Sequence, residues 1–119
     1  MPSWINSARG HVPEDAFKAG RDENGIIYVG RAKHKSDLLP GKVVPAHSTA
    51  YVCYDGLELA KDEYQVLCGY AFYWVPVSAH GQLPQRAVSA GQTDSGEVLY
   101  VGRVSHRGVD VVGKVTNKI

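Results

Sequence analysis

Residues 28–43 read YVGRAKHKSDLLPGKV, and residues 100–115 read YVGRVSHRGVDVVGKV. Laid over each other without a gap, they share the Tyr-Val-Gly-Arg opening, the central His and the Gly-Lys-Val close. Agreement of that density inside one chain of 119 residues points to a duplicated structural unit. The echo extends upstream, pairing Trp4 with Trp74, Gly10 with Gly81, Pro13 with Pro84, Ala16 with Ala87, Gly20 with Gly91 and Gly25 with Gly96. One extra residue near His80 and another near Glu97 keep the frames aligned.

Glycines at matching places suggest tight turns or close chain approach. Between them lie short runs rich in Val, Ile and Tyr: GIIYVGRA, AYVCYDG, YQVLCGYAFYWVPV and EVLYVGRV. Such runs between turn signals predict an all-β, antiparallel fold. In IIYVGR neither alternating face is purely polar, so part of the strand is expected between two layers, as in a sandwich. LELAKDEYQVL allows an amphipathic helix on propensity, while its strand-like flanks favour a strand for EYQVL. The reading is one compact domain of two repeats, residues 1–73 with a C-terminal hairpin extension and a shortened 74–119. The extension, about 25 residues after the first Gly-Lys-Val, has no partner in the second copy, and the sheet edge there would need cover.

Thirteen basic and twelve acidic side chains leave a formal charge of +1, which supplies no strong field for nucleic acid. No apolar run approaches the ~18 residues of a membrane span. The first fifteen residues have no apolar h-region, so a cytoplasmic or non-classically secreted protein is expected. Cys53 and Cys68 read as small buried hydrophobes in a reducing compartment rather than a disulfide framework.

The order W…G-x-x-P-x-x-A-x-x-x-G…G-x-x-x-Y-V-G-R-A-x-H…L-P-G-K-V…Y-x-V-L, repeated in tandem from Trp4 to Val115, resembles the DM-nine repeat family. The resemblance implies two pseudo-two-fold-related halves, a homodimer, and a lectin that binds mannose or mannose-containing glycans in innate recognition of microbes. It further implies that an Asp in the G-x-D turn and the Lys of P-G-K grip the sugar; these are Asp22 and Lys42 here. A carboxylate accepting from vicinal hydroxyls, with an ammonium donating to the same oxygens, suits that ligand. Gly20 and Gly41 beside them would let backbone approach the sugar, and a turn, strand and return can bring the two ends onto one rim. In the second copy Lys114 matches Lys42, but Thr93 stands opposite Asp22. The residue inserted at Glu97 could shift Asp94 into the carboxylate's place. Asp37 and Asp110, upstream of each Gly-Lys, are further candidate acceptors, or plain surface acids.

Other constellations read as structural. His34 and His106 match, but no histidine has metal-ligand spacing. Arg31 and Arg103 are expected to tie strands through an ion pair or a carbonyl. Trp4 and Trp74 are expected to anchor the core, and Tyr70, Phe72, Tyr73 and Trp74 to pack within a strand. No nucleophile elbow or phosphate loop is present, so neither catalysis nor a cofactor is expected. The alternative to a lectin is a protein-interaction module that keeps the fold without binding sugar.

Overall fold

The structure, a computed structural model, describes residues 2–77 and 82–116. His80 and Gly81, with the first frame-restoring residue, lie outside the described residues. The strands are β1 Ser3–Ala8, β2 Lys18–Asp22, β3 Gly25–His34, β4 Asp37–Val44, β5 Thr49–Tyr54, β6 Leu57–Lys61, β7 Glu63–Cys68, β8 Ser89–Gln92, β9 Val98–His106 and β10 Val109–Thr116. One 3-10 turn at Pro45–His47 is the only helical element among the described residues.

All ten strands join one hydrogen-bonded antiparallel sheet, so the all-β antiparallel fold is as expected and a single sheet supplies both layers around β3. The cause lies in the long central hairpin. β3 gives its outer edge to β2 over Gly25–Tyr28 and then to β7 at Gly30 and Arg31. β4 likewise gives its outer edge to β8 at Leu38 and to β5 over Gly41–Val44. Partners that leave one edge in succession, added to the inherent strand twist, bend the sheet over itself without breaking the ladder. β3 therefore does lie between two buried layers. Ile27 and Val29 pack with Val44, Leu67 and Val112, while Ala32 packs on the other side with Leu39, Val43 and Leu99. Each layer holds a residue from β9 or β10, so the two ends of the chain share both cores.

The repeated sequence recurs as repeated pairing. Lys18 faces Tyr28 and Gly20 faces Ile27, with one extra residue bulged between; Ser89 faces Tyr100 and Gly91 faces Leu99 around the same bulge. Gly30 faces Gly41 as Gly102 faces Gly113. The Pro13 carbonyl accepts the Ala16 N–H at 3.1 Å, and the Pro84 carbonyl accepts that of Ala87 at 3.1 Å. A bulged residue is left out of the ladder, and here its carbonyl is met from the opposite half. Arg103 Nη1 donates to Ala19 O at 2.9 Å, and Arg31 Nη1 to Ala90 O at 3.4 Å. Each guanidinium also lies over a tryptophan, Arg31 over Trp4 at 4.1 Å and Arg103 over Trp74 at 4.4 Å. The recurrence of Arg and Trp thus has a structural cause, the carbonyl tie expected from the sequence plus a stacked ring.

Two expectations are corrected, for the strand through YQVLCGYAFYWVPV and for Cys53, and one is met. The strand expected through YQVLCGYAFYWVPV stops at Cys68, because Gly69 turns with φ +132° and the segment after it has no ladder partner. Tyr70 and Tyr73 are accordingly 86% and 81% exposed, while Phe72 and Trp74 fold back against Phe17 at 5.5 and 5.8 Å. LELAKDEYQVL holds two strands, β6 and β7, so EYQVL is a strand as expected and no helix forms. Cys68 is buried and Cys53 only half-buried, both unpaired. Burial, reinforced by nearby Asp15, pushes the Cys68 thiol up to about 11, which leaves it protonated and inert at neutral pH.

Candidate functional site

Asp22 ends β2 and opens the two-residue turn to β3, opposite Gly25. Its Oδ1 accepts the Asn24 N–H at 2.8 Å, closing its own turn as a short acidic side chain does. Lys42 lies in the middle of β4, opposite Val29 on one side and Tyr51 on the other. The two side chains stand on the same face, but on opposite edges of β3 and four residues out of step. At ~3.3 Å per residue that offset is about 13 Å along the strand alone. No hydrogen bond or ion pair joins them among the described residues.

Lys42 has other partners. Its Nζ lies 3.6 Å from Glu58 Oε2 on β6 and 5.8 Å from the centre of the Tyr51 ring on β5. The side chain is 18% exposed and that of Glu58 52%. An ammonium, a carboxylate and an aromatic ring therefore converge at a partly open surface, brought there by the β5–β6 hairpin folding along β4. The sequence reading missed Glu58, sixteen residues downstream in a stretch with no motif; its position in the hairpin is the only signal.

The glycines expected to admit ligand instead admit the chain itself. A Cβ on Gly41 would collide with the Tyr51 carbonyl, and one on Gly20 with the Asp110 carboxylate. Close approach is required at both, but by protein.

The second copy differs at its turn. Thr93 N–H donates to Glu97 O at 2.9 Å, so the inserted residue makes this loop one residue longer than the first. Thr93 Oγ1 accepts the Glu97 N–H at 3.1 Å, and thereby does the turn-closing work that Asp22 does in copy one. Asp94 does not move into that role. Its N–H donates to Asp37 Oδ1 at 2.7 Å, which brings those two candidates together across the halves. Asp110 acts in the same way in the other direction, its Oδ2 accepting the Arg21 N–H at 2.8 Å and its Oδ1 the Ser105 hydroxyl at 2.6 Å. These two bonds hold its carboxyl below the usual carboxylate range, against a smaller desolvation effect and with help from Arg103. Lys114 is exposed, opposite Val101, with no hydrogen bond or ion pair among the described residues.

Two hollows lie where the halves meet. Lys33, Lys35, Asp37, Leu38 and Gln92 line the one between β4 and β8. The larger, about 500 Å³, lies between β2 and β10 with Phe72, Tyr73 and Trp74 along one wall. No three His, Cys, Asp or Glu side chains cluster as metal ligands among the described residues.

Both copies of the motif thus sit on one continuous sheet, with the same bulge, the same glycine pair and the same arginine tie. The sequence model of one family, described as DM9 repeat, matches residues 24–118. The chain belongs to the DM9 repeat family. The match takes in Lys42, Asp37, Asp94 and Lys114, and starts just beyond Asp22. Trp4 and Ala19, which complete the arginine ties of this DM9 chain, lie upstream of the matched residues. No curated protein matches the sequence. No helix of this DM9 protein, among the described residues, is long and apolar enough to cross a membrane.

Proposed function

We propose that this DM9 protein is a non-enzymatic lectin for mannose or mannose-containing glycans, serving recognition of microbial surfaces. The observation that carries the reading is the convergence of Lys42, Glu58 and Tyr51. An ammonium donates to vicinal hydroxyl oxygens, a carboxylate accepts from the same hydroxyls, and a ring covers the apolar face of the sugar. The pair is long, at 3.6 Å, and its Glu58 side is open to solvent, so sugar hydroxyls can compete for its partners. In this reading Asp22, further along the same face, meets a more distant residue of a branched glycan rather than the ring on Lys42. Lys114, without a bracing partner among the described residues, is the weaker counterpart of Lys42 in copy two.

One open site of this kind binds weakly, and useful avidity comes from several sites on one glycan surface, which favours a homodimer. Calorimetric titration of mannose is the test. Lys42→Ala is expected to abolish the heat and Glu58→Gln to weaken binding about tenfold, as loss of a charge-assisted bond does. Absence of heat from the unaltered protein at millimolar mannose would sink the lectin reading and leave a protein-interaction module.

A further inference from the structure

The hollow between β2 and β10 has a chemistry of its own. It is a shallow, open hollow of about 500 Å³, able to seat one sugar ring at the surface rather than enclose it. Asp110 stands at one side, already fixed by the Ser105 hydroxyl and the Arg21 N–H. A carboxylate offers about four lone-pair positions, so half of its capacity remains for ligand hydroxyls. The Trp74 ring is occupied by Arg103 at 4.4 Å and Phe17 at 5.8 Å, whereas the neighbouring Tyr73 ring is 81% exposed and free to stack. Lys18, Arg21 and Arg103 line the hollow against the single carboxylate of Asp110, which leaves it net positive. The corresponding hollow between β4 and β8 also has lysines and an aspartate, but no aromatic ring lines it among the described residues.

A flat ring, a pre-oriented acceptor and an excess of cations together suit a sugar that carries both hydroxyls and a negative group. We propose that the β2–β10 seam is a second binding site, for an acidic pyranose of the uronic acid class, stacked on Tyr73 with its carboxylate towards Lys18 and Arg21. The carboxylate of the ligand lies at the cationic rim and its hydroxyls at Asp110, which keeps the two anions apart. The proposal extends the lectin reading to a different site and ligand.

The test is a calorimetric comparison of D-glucuronate with D-glucose, which share the ring and differ in the charge. Glucuronate is expected to bind about tenfold more tightly, from charge-assisted bonds that neutral glucose cannot make, and to weaken as salt is raised. Tyr73→Ala should weaken glucuronate about tenfold by removing the stacking face; a thermal midpoint unchanged by this surface substitution keeps the loss from being one of folding. The Lys18→Gln, Arg21→Gln double variant should erase the preference over glucose, and Lys42→Ala should leave glucuronate binding intact. Equal affinity for the two sugars, or indifference to Tyr73→Ala, overturns the proposal. No glucuronate binding while mannose still binds overturns it alone, and failure of both sugars overturns the lectin reading as well.

Discussion

Gly41-Lys42-Val43 on β4 and Gly113-Lys114-Val115 on β10 are the same three residues in the same register, yet they live in different surroundings. Gly41 lies against the backbone of Tyr51, and an added Cβ would strike that carbonyl; around Gly113 an added Cβ would meet nothing within 4 Å. Lys42 is braced by Glu58 and Tyr51, whereas Lys114 is exposed. The β5–β6 hairpin makes the difference, since it pairs along Gly41–Val44, while the described part of β10 pairs with β9 alone. A repeated motif therefore carries its fold in its own residues and its binding chemistry in what packs beside it. The first depends on register and bulge, which recur; the second depends on a hairpin that only the first copy has among the described residues.

The largest break between the halves is expected in the core. Leu39 on β4 is 0% exposed and its repeat counterpart on β10, Val111, is 51% exposed. Leu39→Ala should cost about 3 kcal/mol through lost burial and the cavity left behind, and Val111→Ala less than about 0.5 kcal/mol. Denaturant midpoints of the two variants measure both; equal losses would mean that β10 is as deeply packed as β4.

The next largest tests the glycine pair. Gly41→Ala forces a Cβ into a backbone atom that cannot swing aside, at a cost of about 2 kcal/mol. Gly113→Ala has open space and lowers the entropy of the unfolded chain, so it should be neutral or stabilising by about 0.5 kcal/mol. A similar loss at both positions would show Gly113 covered in solution, and the asymmetry between the halves would disappear.

Much of this was legible in the sequence, for physical reasons that can be named. Strand order within each copy, the turns at Pro13 and Pro84 and the arginine ties follow from residues that recur at fixed spacing, because register is fixed once both turns are. The relation of Asp22 to Lys42 was not legible, since twenty residues of turn, strand and return do not say how far the return strand slides past its partner. Glu58 was hidden because it reaches Lys42 only after β5 and β6 fold back along β4. The β2–β10 seam was hidden because Phe72, Tyr73 and Trp74 look like a strand; only the turn at Gly69 frees Tyr73 to face solvent.

The smallest expected effect comes from the same hairpin. Lys61 on β6 holds its ammonium 3.0 Å from His34 Nδ1, and the His34 ring meets Tyr54 of β5 edge-on at 4.6 Å. Desolvation first, then the charges of Lys61 and Lys35, hold His34 below the usual histidine range, against a smaller upward pull from Asp37. The unfolded chain, with histidine near about 6.5, then binds the proton more readily than the native state. Stability from this contact is complete above about pH 6.5 and is lost as the pH falls towards the lowered native value. An imidazole NMR titration should place His34 below that reference, and Lys61→Met should move it upward by removing the nearest ammonium. The thermal midpoint of the variant should also fall less between about pH 7 and pH 5 than that of the unaltered protein. His34 titrating at its ordinary value, unmoved by Lys61→Met, would mean that the hairpin does not rest against β3 in solution, and the bracing of Lys42 by Glu58 would lose its support with it.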